Sequence, residues 1–182
     1  MSVRECVQCS APTRRGTRCK LRTCMYSEFC HAHTKQLFDL ALKPSHIPGA
    51  GKGLFTLKAI PRNANIAKYT GDIKTLAEYD ASPSGYAVAI NRNRVVDAAS
   101  TQSAIGRYAN DCRAANRRAG HCSGPNARFV VNHRHDPAII WLRATKNIVA
   151  GSEIFVPYGA AYWKGSPNVK AKIKKAKAKA KA

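Results

Sequence analysis

Apolar residues fall in short runs along the middle of the chain, each closed by glycine, proline or asparagine. They mark seven candidate strands, at residues 54–60, 65–73, 86–90, 94–98, 127–132, 139–148 and 153–158. Runs this short, rich in β-branched and aromatic residues and bounded by turn formers, favour strands over helices. Asn91-Arg92-Asn93 separates two of them like a hairpin turn. Sustained helical periodicity is scarce. Residues 35–43 suit a short helix or connector, which Pro44 would end. The expected domain is mostly β, made of short strands and irregular loops.

The two ends of the chain follow different rules. Residues 1–34 are rich in Cys, Thr and Arg and poor in aliphatic side chains, so they cannot bury a core unaided and need a staple. Residues 164–182 hold eight lysines and no acidic residue, and finish in Lys-Ala alternation. Alanine and lysine favour helix, but crowded like charge opposes it, and disorder is expected there. The organisation expected is therefore a zinc-binding module at 1–34, a linker or short helix at 35–44, a β domain at 45–163 and a basic tail at 164–182.

Charge adds a direction. Over 182 residues, 31 Lys and Arg against 10 Asp and Glu leave a net +21. Such an excess favours nucleic acid and other polyanions as neighbours but says nothing about fold. The N-terminal residues lack the apolar core of a leader, and no apolar run is long enough for a membrane span. An intracellular protein with no membrane partner is expected, and there clustered cysteines more often hold zinc than disulfides.

Five of the seven cysteines lie in the first 30 residues, spaced Cys6-x2-Cys9-x9-Cys19-x4-Cys24-x5-Cys30-x2-His33. Two close pairs joined by a loop supply the four tetrahedral donors that zinc prefers. Cys9, Cys19, Cys30 and His33 form the preferred set, with Cys24 as rival ligand and Cys6 behind it. The site would be closed and structural. The string from Cys9 to Cys19, followed by Cys30-His31-Ala32-His33, resembles a small zinc-binding motif that accompanies other domains. His121, Cys122, His133 and His135 fit no ligand spacing well.

Four motifs follow in fixed order: Gly49-Ala50-Gly51-Lys52-Gly53, Tyr69-Thr70-Gly71, Arg107-Tyr108-Ala109-Asn110-Asp111-Cys112, and Glu153-Ile154-Phe155-Val156-Pro157-Tyr158-Gly159. The first is no phosphate loop, because Gly53 rather than Ser or Thr follows Lys52. Together they resemble the SET family of protein-lysine methyltransferases, over roughly Ser45 to Trp163. The sequence departs from the family pattern at Asp111, where His is usual, at Pro157, where Asp is common, and in an insertion over residues 113–124. The compact arrangement is similar to short and viral members, without the cysteine-rich segment that follows in many nuclear ones.

The resemblance implies a β-clip type SET fold with a knot-like crossing. It implies S-adenosylmethionine as cofactor, with Gly51, Lys52, Gly53, Arg107, Asn110, Asp111, Tyr158 and Trp163 around it. Tyr158 and Tyr69 would be the catalytic hydroxyls, and Tyr69, Phe129 and Tyr158 would wall the lysine channel. A protonated lysine, with an ordinary pKa of about 10.4, becomes a neutral nucleophile when buried beside a sulfonium. No carboxylate base is then needed. Substrate and place follow family habit and charge: a histone or other basic protein, nucleosomal DNA through the basic surface and tail, and chromatin in the nucleus (the host's, for a viral protein). The alternative is a DNA- or chromatin-binding protein with an idle SET-like domain.

Overall fold

The structure is a computed structural model that describes residues 7–23, 29–99, 104–134 and 139–165. In chain order its strands are β1 (Val7–Gln8), β2 (Arg22–Thr23), β3 (Leu40–Pro44), β4 (Lys52–Thr56), β5 (Asn65–Tyr69), β6 (Asp72–Thr75), β7 (Ala87–Ala89), β8 (Arg94–Asp97), β9 (Ala127–Asn132) and β10 (Ile139–Ala144). The helices are short: α1 (His31–Phe38), α2 (Leu76–Ala81), α3 (Ala114–Arg118) and α4 (Ala160–Gly165), with a 3-10 turn at Ile105–Tyr108.

All strand pairing is antiparallel, in four small sheets: β1-β2, β3-β4, β5-β10-β9 and β6-β8-β7. Mixed burial explains the short strands. In β10, Ile140, Leu142 and Ala144 are buried while Trp141 and Arg143 on alternate positions are not, the period of a sheet with one face on the core. Leu40, Leu42, Leu54, Leu142, Ile154 and Val156 meet in the main core cluster. A second cluster gathers Tyr69, Ile90, Val96, Ala98 and Ile140.

The segment expected to be a connector has two fates. Helix α1 ends at Phe38, and Asp39 takes the left-handed region (φ 52°) that closes the helix. The next residues form β3, because Leu40, Ala41 and Leu42 are all buried against β4 and the core. Strand structure packed on the core therefore reaches back to Leu40, inside the segment expected to be a short helix or connector. The hairpin turn at Asn91 is present, with Asn91 Oδ1 accepting from the backbone N–H of Asn93 and Arg94 at 2.9 Å each.

Residues 153–158 form no ladder strand. Ile154 N–H donates to Leu54 O (2.7 Å), Val156 N–H to Asn110 O (2.9 Å), and Phe155 O accepts from the N–H groups of Asn126 and Ala127 at 3.0 Å each. Successive residues are thus held by three separate stretches of chain, and the C-terminal motif is drawn through the middle of the domain. The buried Asn126 locks this crossing: its Nδ2 donates to Glu153 O and its Oδ1 accepts from Phe155 N, both at 2.8 Å. A buried amide with both ends satisfied is worth keeping, since losing it strands two backbone groups.

Cys112 of the third motif and Cys122 of the insertion that follows it form a disulfide. The expectation that clustered cysteines hold zinc concerned the N-terminal group, and this pair lies outside it. The bond closes the loop that carries α3, a segment with too few apolar residues to hold itself down.

Candidate active site and metal centre

The crossing and the β5-β10-β9 sheet together shape a cavity of about 230 Å³. Tyr69 from the end of β5 and Phe129 from β9 form one wall, their rings tilted at a centroid distance of 4.6 Å. Tyr158 and Tyr162 form the opposite wall, also 4.6 Å apart. Tyr86, Val88, Arg107 and Pro157 add to the lining, with small residues between them. Among the described residues of the lining, Arg107 is the only ionised side chain and none is a carboxylate.

Both candidate catalytic hydroxyls are anchored. Tyr69 Oη donates to Tyr86 O (2.7 Å) and Tyr158 Oη donates to Ala109 O (2.9 Å). Burial pushes both phenols well above their ordinary range; at Tyr69 the Arg107 guanidinium opposes the rise, and at Tyr158 the neighbouring Tyr162 and Tyr69 add to it. The hydroxyls therefore stay protonated and act as dipoles, not bases.

The remaining sequence-predicted residues divide into two groups. Lys52, Asn110, Asp111, Tyr158 and Trp163 come together behind the cavity. Asn110 Nδ2 donates to Lys52 O (3.1 Å) and to Glu153 Oε1 (3.2 Å). Gly51, at φ 74°, has open space where a Cβ would stand. Gly53 has a different necessity, because a Cβ there would overlap the Glu153 carboxylate. Arg107 lies apart from this group. Its guanidinium covers the Tyr86 ring at 4.1 Å and donates to Ala99 O (3.1 Å), while Nε finds no partner among the described residues.

The profile of the SET domain matches residues 51–159. The chain belongs to the SET-domain family. That family includes protein-lysine methyltransferases. No curated protein matches the chain.

Of the three departures of this SET domain from the family motif, the one at Asp111 has a structural role. Asp111 Oδ2 accepts from Trp163 Nε1 (2.8 Å) and from the backbone N–H of Tyr158 (3.2 Å). The indole is covered by the Arg113 guanidinium at 4.1 Å and lies nearly parallel to the Tyr158 ring. Asp111 thus ties the aromatic wall of α4 to the crossing. Pro157 is exposed and lines the cavity beside Tyr158.

Two residues escaped the sequence-based site. Glu153 is buried and collects Ser45 Oγ (2.6 Å), the His46 N–H (2.8 Å) and Asn110 Nδ2, linking the glycine-rich loop to the crossing. Tyr86 both accepts from Tyr69 and carries Arg107. Neither role has a local sequence signal, since the partners lie 17 or more positions away.

At the N-terminus, Cys9, Cys19, Cys30 and His33 bring their ligand atoms within 4.8 Å of one another, the three thiols buried. His33 Nδ1 stands 3.5 Å from Cys9 Sγ and 3.4 Å from Cys30 Sγ. Donors about 2.0–2.3 Å from a tetrahedral ion would be roughly 3.5–3.8 Å apart, so the set fits zinc. The rival Cys24, with Cys6, lies outside the described residues. Among the described residues no second cluster accompanies it; Cys122 is in the disulfide, and His135 lies outside them.

Proposed function

We propose that this SET domain is an S-adenosylmethionine-dependent protein-lysine N-methyltransferase acting on a histone or another basic protein. The observation that carries the reading is the cavity: aromatic walls, two anchored phenols, one arginine and, among the described residues, no carboxylate. A lysine entering it meets no counter-ion. Desolvation and the Arg107 charge both disfavour its ammonium form, so it would reach the neutral state needed to attack. Tyr69, Phe129 and Tyr158 restrict its rotation, and the phenol oxygens still have lone pairs to accept its N–H bonds.

When bound, S-adenosylmethionine supplies an electrophilic methyl group on a cationic sulfur. Asn110, Lys52, the open backbone at Gly51 and the Trp163 ring would hold it, a donor set suited to an amino-acid end and a flat base. The Cys9, Cys19, Cys30 and His33 site would take structural zinc. The charge of +21 supports association with chromatin, which would place the protein in a nucleus.

Radiolabelled methyl transfer to core histones tests the reading. Activity in the full chain that falls at least about 100-fold in Tyr158→Phe supports it. No transfer to any core histone or nucleosome, with cofactor binding intact, would favour an idle SET-like domain.

A further inference from the structure

The back of the channel wall has a chemistry of its own. Strands β5, β10 and β9 turn Tyr69, Ile140, Leu142, Phe129 and Ala127 to the core. The alternate positions face the other way, and among their apolar and amide side chains stand three cations, Lys68, Arg128 and Arg143. Arg128 and Arg143 are direct register partners, and Lys68 pairs with Trp141. Lys68 Nζ lies over the indole at 5.5 Å.

Like charges placed opposite each other on a sheet repel, and natural sheets usually set an opposite charge there. None is present. The seventeen residues of the three strands include no Asp or Glu, and neither arginine makes an ion pair among the described residues. Arg143 is instead aimed by a neutral group, its Nε donating to Asn65 Oδ1 at 2.8 Å, which leaves both terminal amino groups of its fork for an anion. The turns at one end of the sheet add exposed Arg62 and Lys146, joined through Arg62 N–H to Asn147 Oδ1 (2.8 Å). Among the described residues, the exposed carboxylates Asp72, Glu78 and Asp80 all lie on β6 and α2, outside this sheet.

We propose that the outer face of the β5-β10-β9 sheet binds the phosphate backbone of duplex nucleic acid, with the Arg128–Arg143 pair at its centre. It rests on the chromatin association proposed above and locates it on the folded domain rather than only on the tail. An extended polyanion suits the feature better than a single small anion, because the cations form a row across three strands and two turns. Since the channel residues occupy the opposite side of the same strands, DNA on this face leaves the lysine entrance clear. A duplex could be held while a histone segment enters the cavity.

The test measures binding of the full chain to a fluorescent DNA duplex by anisotropy over a series of salt concentrations. Arg128→Gln with Arg143→Gln is compared with Arg92→Gln and Arg118→Gln, an exposed pair that removes the same charge elsewhere. Two lost phosphate contacts should lower the slope of log affinity against log salt by about two and weaken binding about tenfold near physiological salt. The control pair should change the slope by less than about one half. Equal effects of the two pairs would overturn the proposed face while leaving general chromatin association standing. No duplex binding by the parent chain would overturn both. Loss of binding to anionic phosphatidylserine vesicles, with DNA affinity unchanged, would overturn the choice of ligand. Methylation of a free histone peptide, if the parent shows it, should be unchanged in the Arg128 and Arg143 double variant.

Discussion

Replacing Asp111 by Ala should disable the site without unfolding it. The carboxylate holds two groups, the Trp163 indole N–H at 2.8 Å and the Tyr158 backbone N–H at 3.2 Å. Hydrogen bonds to a charged partner contribute about 1.5–3 kcal/mol each when buried. Asp111 and Trp163 are half-buried, so water recovers part of that, and a net loss of about 2 kcal/mol is expected, close to a 30-fold effect. The loss should appear mainly in kcat/KM, because Tyr158 and α4 would no longer be held in the geometry of the channel. Asp111→Asn retains an acceptor and should lose only about fivefold. Trp163→Phe removes one of the two donors, so its effect should not add to that of Asp111→Ala in a double-mutant cycle. Steady-state methyl transfer with each variant, alongside its thermal unfolding, gives the answer. An Asp111→Ala enzyme within twofold of the parent, or strict additivity with Trp163→Phe, would refute the role assigned here.

Elemental analysis should find about one zinc per chain, lost in the Cys30→Ser, His33→Ala double variant. Gly53→Ala should cost about 2–4 kcal/mol in thermal unfolding, because the added methyl overlaps the buried Glu153 carboxylate rather than a movable chain end. At Asp97, burial alone would raise the carboxyl, but the Lys74 ammonium at 2.8 Å and the Ser84 hydroxyl outweigh it and hold it below the ordinary range. Its stabilising effect is therefore complete above pH of about 4 and fades as pH falls through the depressed value; Asp97→Asn should flatten that acid limb of the melting curve. Phe129 lacks a hydroxyl to restrain a methylated amine, so mass spectrometry should find di- or trimethyl product, and Phe129→Tyr should shift it towards monomethyl.

How far the sequence disclosed this molecule depends on whether a feature is local. Strand β9 occupies the residues that alternation assigned to it, because one face packs and the other meets solvent. The run at 65–73 instead splits into β5 and β6 around Gly71, whose Cα lies so close to the Asp97 backbone that no side chain fits. Residues 153–158 have strand composition but no ladder, since their partners come from three distant stretches. Helix α2 has a local signal in the sequence, since Thr75 and Glu78 form a reciprocal capping box at its start. The four clustered donors at the N-terminus were found by spacing, as ligand pairs in sequence are neighbours in space. The Cys112–Cys122 bond and the Asp111 contacts were not, because they join a motif residue to an insertion and to a helix beyond the motif.

One alternation carries two functions in this reading. Tyr69 and Phe129 reach the cavity only because Lys68 and Arg128, one step along the same strands, are turned away from it. The two faces cannot be exchanged or blended, since a one-residue slip would bury Lys68 and Arg128 and expose the channel aromatics. Register is therefore under constraint from both sides, by apolar burial within and by anion affinity without. The register shift between Leu142 and Arg143 falls where these demands meet. There β10 keeps Leu142 opposite Ala67 in the core yet sets Arg143 opposite Asn65, the residue that aims its guanidinium. Without that irregularity Arg143 would pair with Ile66, and the arginine would lose the amide that orients it.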